Sequence, residues 1–453
     1  LKTTKVGSDF GVKTGFYFVY LKNKHDLPFK YINQMLQLEF SSIQEAIPGK
    51  KWKALFDKFW PAYKSWFESK GGFRTVSVDQ SLKALKDYMP ELIPTFERLC
   101  SLAEGYDQNE VQRFLSGYNP PAYISGCSQA IWLEEPQLIR NYDYHPALCE
   151  GVQLMTAWNH KKIIATSDCL WGVVDGMNED GLAVSLTFGG KKDIGDGFGI
   201  PFILRYLLEF SRDIQDAIEI LQRVPSHMAY NVALLDANGN HKIIQVAPNK
   251  STIVLDDRYS TNHQGIIEWP EHAAFSKTIE RANFIDKLIN TKGITKQEIA
   301  NAFLKSPLYN TQFQEGFGTI FTSIYHPKEK KVELRWQDQN LIQSFDHFDE
   351  KKLLITYDKL PQYSAVERSM EFEYDETSNQ HFDYKKYWDS SKVFDWKRFV
   401  QENSPSAVPS ELFASETKEI DKAENLKRGE IPWEQIADYW RKYGEMWASK
   451  FTS

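Results

Sequence analysis

Cysteine is scarce in this chain: 453 residues hold four, Cys100, Cys127, Cys149 and Cys169. That density is too low for a disulfide-stapled scaffold of this size. There is no Cys-x-x-Cys pair and no His-Glu-x-x-His segment, so zinc is disfavoured and no metal or organic cofactor is implied. No apolar run reaches the length of a membrane span. The formal net charge is -7 with both signs interspersed and no basic tract, which argues against a nucleic-acid partner. No internal repeat or low-complexity stretch stands out. The chain begins at Leu1 without a methionine or a charged-then-apolar leader. The expectation is a soluble protein, either cytoplasmic or secreted with its leader already removed, and self-association as a homo-oligomer is left open. Asn249-Lys250-Ser251 matches a glycosylation sequon, a single match that chance supplies easily in a long chain.

What is present is material for a large core: 42% of residues are hydrophobic and 14% aromatic. Length alone allows about two or three domains, or one large domain with extensions. The first 126 residues read mainly as helix. Tyr31 to Ile47 and Trp52 to Trp66 carry apolar residues at three- and four-residue spacing. Further helices are predicted from about Gln80 to Tyr88, with Asp79 as N-cap, and from Pro90 to Leu102, with Gly105 just beyond.

The character changes at Cys127. Ser128 to Ile139, Val152 to Trp158, Lys161 to Thr166 and Gly181 to Phe188 are short and rich in strand formers. Two amphipathic helices, Pro201 to Ser211 and Ile214 to Arg223, come next. Strands Asn231 to Leu235 and His241 to Val246 flank the turn signal Asp236-Ala237-Asn238-Gly239. A helix over Ser276 to Ile289 and paired strands at Thr319 to Tyr325 and Lys331 to Trp336 complete the pattern. This order predicts an α+β fold: two mainly antiparallel sheets covered by helices. Three regions are expected: a helical segment 1–126, a core 127–358, and a charged, aromatic extension 359–453 that wraps the core and ends in a helix near Trp433 to Lys450.

The chemistry-bearing stretch is Ser125-Gly126-Cys127-Ser128, followed by Arg140-Asn141-Tyr142-Asp143. A lone Gly-Cys pair means little, because free cysteines are usually small buried hydrophobes. Further along stand Gly176-Met177-Asn178-Glu179-Asp180-Gly181-Leu182-Ala183, Gly199-Ile200-Pro201 and Thr261-Asn262-His263, with Met89-Pro90-Glu91-Leu92 and Leu102-Ala103-Glu104-Gly105 upstream. Each is weak alone; their ordered co-occurrence over more than half the chain is specific.

In that order the motifs resemble the Ntn-hydrolase amide hydrolases and acyltransferases, which include choloylglycine hydrolase and acid ceramidase, and within them the acyl-CoA:6-aminopenicillanic acid acyltransferase branch. The resemblance implies a four-layer αββα sandwich with a helical prosegment, and a zymogen cleaved between Gly126 and Cys127. It makes Cys127 the nucleophile, with Arg140 beside its sulfur, Asp143 holding the freed amine and Asn262 donating to the oxyanion. Thr187, Asn231 and Arg281 are candidates for substrate or oxyanion contacts. Asn231 reads more readily as structural, and Arg281 could equally lie on a solvated helix face. A cysteine made N-terminal carries its own base, since an α-amino group titrates near about 7.7–8.0 and a thiol near about 8.5. The implied substrate is a small N-acyl amide or acyl thioester.

Two rival readings stand beside this one. A thiol hydrolase without self-cleavage would pair a cysteine with His145, His160, His227 or His263, none of which sits in a local signature of that kind. A non-catalytic binding protein could keep the fold, although Cys127, Arg140, Asp143 and Asn262 are all present. Cys100, Cys149 and Cys169 read as packing residues, and Arg140 with Asp143 could be an ordinary surface ion pair.

Overall fold

The computed structural model describes residues 29–32, 35–123, 125–313 and 317–357. The extension 359–453 and its expected terminal helix lie outside the described residues. The described chain opens with strands β1 (Phe29–Ile32) and β2 (Met35–Glu45). It continues through helices α1 (Lys50–Ser69), α2 (Val78–Tyr88), α3 (Ile93–Leu102) and α4 (Gln108–Leu115).

The helix expected over Tyr31 to Ile47 is therefore corrected to a strand. Leu36, Leu38 and Phe40 are buried while Gln37 and Glu39 between them are not, the period of two that a half-buried strand imposes. The apolar residues of this segment satisfy both periods, and sheet pairing decides: β2 runs parallel to β5 (Val152–Thr156) and antiparallel to β16 (Lys352–Tyr357). The cap of α2 also differs. Ser77, not Asp79, accepts from the Gln80 backbone N–H while the Gln80 side chain returns to the Ser77 N–H, a capping box.

From Gly126 the chain forms β3 (Gly126–Trp132), β4 (Gln137–Tyr144), β5, β6 (Ile163–Asp168), β7 (Gly172–Asn178) and β8 (Ala183–Phe188). Helices α5 (Ile200–Phe210) and α6 (Ile214–Arg223) precede β9 (Tyr230–Leu235), β10 (His241–Val246), β11 (Ile253–Leu255) and β12 (Tyr259–Ser260). Then come α7 (Pro270–Phe275), α8 (Thr278–Ile289), α9 (Lys296–Ala302), β13 (Gly318–His326), β14 (Lys331–Arg335), β15 (Asn340–Ser344) and β16. The large sheet runs β1-β2-β5-β6-β7-β8-β9-β10-β11, with β16 also on β2; the small one runs β12-β3-β4-β13-β14-β15.

The sheets face each other across one core. Ile131, Leu138, Tyr325 and Val332 of the small sheet meet Met155, Ile164, Met177, Ala233 and Ile243 of the large one. Behind the small sheet, Ala130, Trp132, Ile139 and Ile324 pack on Ile285 and Ile289 of α8 and Ile299 of α9. Behind the large sheet, α5 lies on β7, where a Cβ on Gly176 would come 2.5 Å from Leu208. The layers are helix, sheet, sheet, helix, as expected. The N-terminal helices are tied to the turn between β6 and β7: Trp52 Nε1 donates to the Leu170 carbonyl, and Trp171 Nε1 to that of Leu115, each at 3.0 Å.

Candidate active site

The antiparallel ladder of β3 with β4 sets the geometry. Cys127 stands opposite Tyr142, Gln129 opposite Arg140, and Gly126 opposite Asp143. Because side chains alternate across a strand, Cys127 and Arg140 share the face toward the large sheet, whereas Asp143 shares the face of Ile139 toward α8.

Cys127 is fully buried and its sulfur is met by Arg140, whose Nη2 lies 3.2 Å from Sγ. Arg140 is also fully buried. Its Nη1 donates to Asp175 Oδ2 at 2.8 Å and its Nε to the Leu186 carbonyl at 2.8 Å. The guanidinium carbon sits 4.8 Å from the centroid of the Tyr142 ring, a cation–π contact. Asp175, extended from β7, further accepts from Ser323 at 2.9 Å and Tyr325 at 2.7 Å. Arg140 and Asp143 are thus not a surface ion pair; the partner of Arg140 is Asp175. Burial lowers the affinity of the guanidinium for its proton, but Cys127 and Asp175 outweigh that and hold it firmly charged. Burial raises the Cys127 thiol above its ordinary value. Arg140 offsets part of that rise, Asp143 adds to it, and the Asp143 backbone amide and Arg281 lower it, with the net direction still upward.

On the other side, α8 delivers Arg281, which is 3% exposed rather than solvated. Nη1 donates to the Cys127 carbonyl at 2.6 Å and to Ser128 Oγ at 2.7 Å, Nη2 to Asn262 Oδ1 at 2.6 Å, and Nε to the Ser276 carbonyl at 2.8 Å. Asn262 Oδ1 also accepts the Cys127 backbone N–H at 3.0 Å, and its Nδ2 donates to the Phe188 carbonyl at 3.2 Å. Asp143 accepts from Thr319 Oγ1 at 2.6 Å through Oδ1, while Oδ2 is buried without a hydrogen-bond partner and lies 3.9 Å from Arg281. Burial pushes the Asp143 carboxyl up to about 6 against the opposing pull of Arg281, Thr319 and Arg140.

Thr187 and Asn231 join the same assembly. Asn231 Nδ2 donates to Thr187 Oγ1 at 3.1 Å, to the Thr261 carbonyl at 2.9 Å and to that of His263 at 3.1 Å; Thr187 donates to Thr261 at 2.8 Å. These bonds brace the segment that carries Asn262. The fold therefore brings together Cys127, Arg140, Asp143, Asn262, Thr187, Asn231 and Arg281, which are scattered over 155 positions of sequence. Sequence reasoning missed Asp175, Thr319 and Tyr142. Asp175 had a signal, a single carboxylate within Gly172-Val173-Val174-Asp175-Gly176; buried charges are rarely unpaired. The histidines lead elsewhere: His263 Nδ1 meets Thr261 and Thr278, and His227 Nδ1 the Gly195 carbonyl.

Among the described residues no helix is long and apolar enough to cross a membrane. No curated protein sequence matches the chain. Among solved structures, it is similar to a mutant conjugated bile acid hydrolase from Clostridium perfringens, at 12% identity and a TM-score of 0.37, covering 52% of this chain and 97% of that one. It is similar also to penicillin V acylase from Agrobacterium tumefaciens, with 13% identity, TM-score 0.35, and 50% and 90% of the two chains covered. A third is the Caenorhabditis elegans ortholog of N-acylethanolamine-hydrolyzing acid amidase, with 14% identity, TM-score 0.35, and 51% and 99% covered. The sequence from Trp132 to Leu341, which holds Arg140, Asp143, Thr187, Asn231, Asn262 and Arg281 but not Cys127, matches the model of the acyl-coenzyme A:6-aminopenicillanic acid acyl-transferase family.

Proposed function

We propose that the chain is a cysteine N-terminal-nucleophile enzyme that cleaves its own Gly126–Cys127 peptide and then hydrolyses or transfers the acyl group of linear amides. The observation that carries this reading is the Arg140 guanidinium 3.2 Å from Cys127 Sγ inside a fully buried site. A cation fixed there favours the thiolate, the nucleophilic form of cysteine.

In self-cleavage the Cys127 sulfur attacks the carbonyl carbon of Gly126. The C–N bond breaks, the thiol proton passes to the departing nitrogen, and a thioester remains. Water hydrolyses that thioester, leaving Gly126 as a carboxylate and Cys127 as the new N-terminus. The freed amine remains where Asn262 Oδ1 already holds the peptide N–H, with the unpartnered oxygen of Asp143 available on the neighbouring strand. At that position the amine serves as the general base for the thiol beside it. Substrate attack repeats the chemistry: an S-acyl-enzyme forms, the amine or thiol of the substrate leaves, and water or an amine accepts the acyl group. Asn262 is the side-chain amide bonded to the Cys127 backbone N–H, and it serves the oxyanion once Nδ2 turns from the Phe188 carbonyl. The second donor is Thr187, once its hydroxyl leaves the Thr261 carbonyl, or a backbone N–H, unless Asn262 acts alone. An acyl group carried on sulfur suits a family named for acyl transfer from coenzyme A.

Intact mass under denaturing conditions tests the reading. Two fragments joining at Gly126/Cys127, collapsing to one chain in Cys127→Ala, are expected. A native chain that stays whole would remove self-cleavage and return weight to a Cys/His hydrolase or a binding protein. Turnover of N-acyl amides with and without added amine then separates hydrolase from transferase.

A further inference from the structure

Gly126 supplies the first acyl group that Cys127 carries, and one side of its α-carbon is filled by the ring of Phe317. A Cβ built there in the L position would lie 1.9, 2.7 and 2.9 Å from Cζ, Cε2 and Cε1 of that ring. We infer that Phe317 is a specificity-determining residue: it admits acyl groups whose α-carbon is an unsubstituted CH2 and turns away those with an α-substituent on the ring's side. The inference rests on Cys127 being the nucleophile.

A constraint on Gly126 is a constraint on substrates because both acyl groups meet the same atoms. The glycyl thioester left by self-attack is itself an S-acyl-enzyme, and water releases it from the sulfur that later carries a substrate's acyl group. Arg140 Nη2 meets that sulfur at 3.2 Å, while Asn262 and Arg281 hold the Cys127 backbone N–H and carbonyl at 3.0 and 2.6 Å. An acyl carbon bonded to a sulfur so held, with its oxygen turned to Asn262, directs its α-carbon to the place that Gly126 occupies. The two α-hydrogens of the acyl group then stand where those of Gly126 stand.

The ring is fastened from several sides. Phe317 is 6% exposed, its ring lies 4.9 Å from that of Phe275 at the end of α7, and its N–H donates to the Gln312 carbonyl at 2.9 Å. Gly318, next in the chain, is covered in its turn. A Cβ there would come 2.3 Å from the ring of Phe313, which packs 4.8 Å from that of Tyr357. Thr319 completes the anchor: its N–H donates to the Asn310 carbonyl at 2.8 Å and its hydroxyl to Asp143 Oδ1 at 2.6 Å. The ring cannot swing aside without disturbing this packing. A fixed wall of this kind slows reaction of a group one methyl too large by about tenfold to a hundredfold.

The contact is also one-sided. Gly126, Asp143 and Thr319 stand opposite one another across β3, β4 and β13, so a side chain at position 126 would share the face of Asp143 toward α8. Phe317 meets a substituent on that face. The other hydrogen of Gly126 points away from it, and the selection is therefore handed.

Thioesters of N-acetylglycine, N-acetyl-L-alanine and N-acetyl-D-alanine with one common thiol test this on the full protein after its own cleavage. They reproduce the Gly126 acyl group and its two methylated forms. Cys127 Sγ attacks the thioester carbonyl carbon, the bond to the departing thiol breaks, and that thiol takes up the proton that the Cys127 thiol gives up. The kcat/KM for thiol release reports this acylation, normalised to reaction with free cysteine methyl ester. The glycyl thioester is expected to react at least about tenfold faster than the L-alanyl one. Phe317→Ala should bring the two within about threefold and raise the L-alanyl rate by more than the D-alanyl rate. Equal glycyl and L-alanyl rates on the unsubstituted protein, a gap that survives Phe317→Ala, or L- and D-alanyl rates that rise alike would overturn the inference. Should Phe317→Ala lose its cooperative unfolding, Phe317→Leu lacks the same three ring atoms but keeps an apolar side chain, and an unchanged gap there overturns it equally. If Cys127 is not the nucleophile, none of the three thioesters leaves an acyl mass on the fragment that begins at Cys127, which is distinct from all three reacting alike.

Discussion

The ring of Phe317 occupies the space that a side chain on Gly126 would need. A Cβ built on Gly126 would lie 1.9 Å from Phe317 Cζ, so the residue before the nucleophile must be glycine unless the ring moves. Gly126→Ala is expected to cost about 1–3 kcal/mol of stability through overpacking and to slow self-cleavage. Phe317→Ala in the same chain should recover much of both. Thermal unfolding and the time course of fragment appearance by mass spectrometry report the result; a Gly126→Ala chain that cleaves and melts as the original does would show that Phe317 yields freely.

Arg140 has two tasks, holding the sulfur and neutralising Asp175, and the substitutions separate them. Asp175→Asn leaves a buried cation without its partner and is expected to cost about 3–5 kcal/mol, read as a lower denaturation midpoint. Arg140→Met removes the cation that offsets burial of the thiol. Cleavage and turnover should then fall on the order of 10²-fold or more, with the pH profile of any residual activity moved upward. An unchanged profile would mean that Arg140 does not act on the sulfur.

Asp143 predicts a slope of stability against pH. Its folded carboxyl titrates at about 6, above the ordinary aspartate range, so the folded state binds more protons than the unfolded between roughly pH 4 and 6. Stability from this group is complete at the acid end and is lost as pH rises through 6, on the order of 2–3 kcal/mol. Asp168, raised to about 7, adds a loss in the same direction that extends to higher pH. In the Cys127→Ala background, Asp143→Asn should flatten the pH 4–6 part of the unfolding curve and gain stability relative to its parent at pH 8. A steeper curve would contradict the assignment.

Strand β2 precedes the proposed cleavage point yet is hydrogen-bonded to β5 and β16, which follow it. The two fragments should therefore stay together, co-eluting in native size-exclusion chromatography and separating only in denaturant. Leu38→Asp, which puts a charge at a position 2% exposed, should destabilise the assembly by more than about 3 kcal/mol. Fragments that separate from the unsubstituted protein in native buffer would refute this account of β2.

Much of the fold was legible because its patterns are local. The helix of Ile214–Arg223 and the hairpin turning at Asp236-Ala237-Asn238-Gly239 follow from periodicity and turn chemistry that neighbouring residues supply. The segment Met35–Glu45 misled because its apolar residues fit both helical and strand spacing; long-range pairing, which no local window contains, made it a strand. At the site, the motifs pointed to Cys127, Arg140, Asp143 and Asn262 one by one.

The sequence by itself determined which residue types are available for thiol chemistry, in what order they occur and what family pattern they match. Tertiary structure decided what each of them touches. It turned Arg281 from a helix-face candidate into a buried donor to both Cys127 and Asn262, gave Arg140 the partner Asp175 rather than Asp143, and set Tyr63 between Glu150 and Asp168. The reason is physical. A buried charge must find its counter-charge or hydrogen bonds among whatever the sheets bring alongside it, and that company is set by strand register and helix packing over separations of 19 to 154 residues.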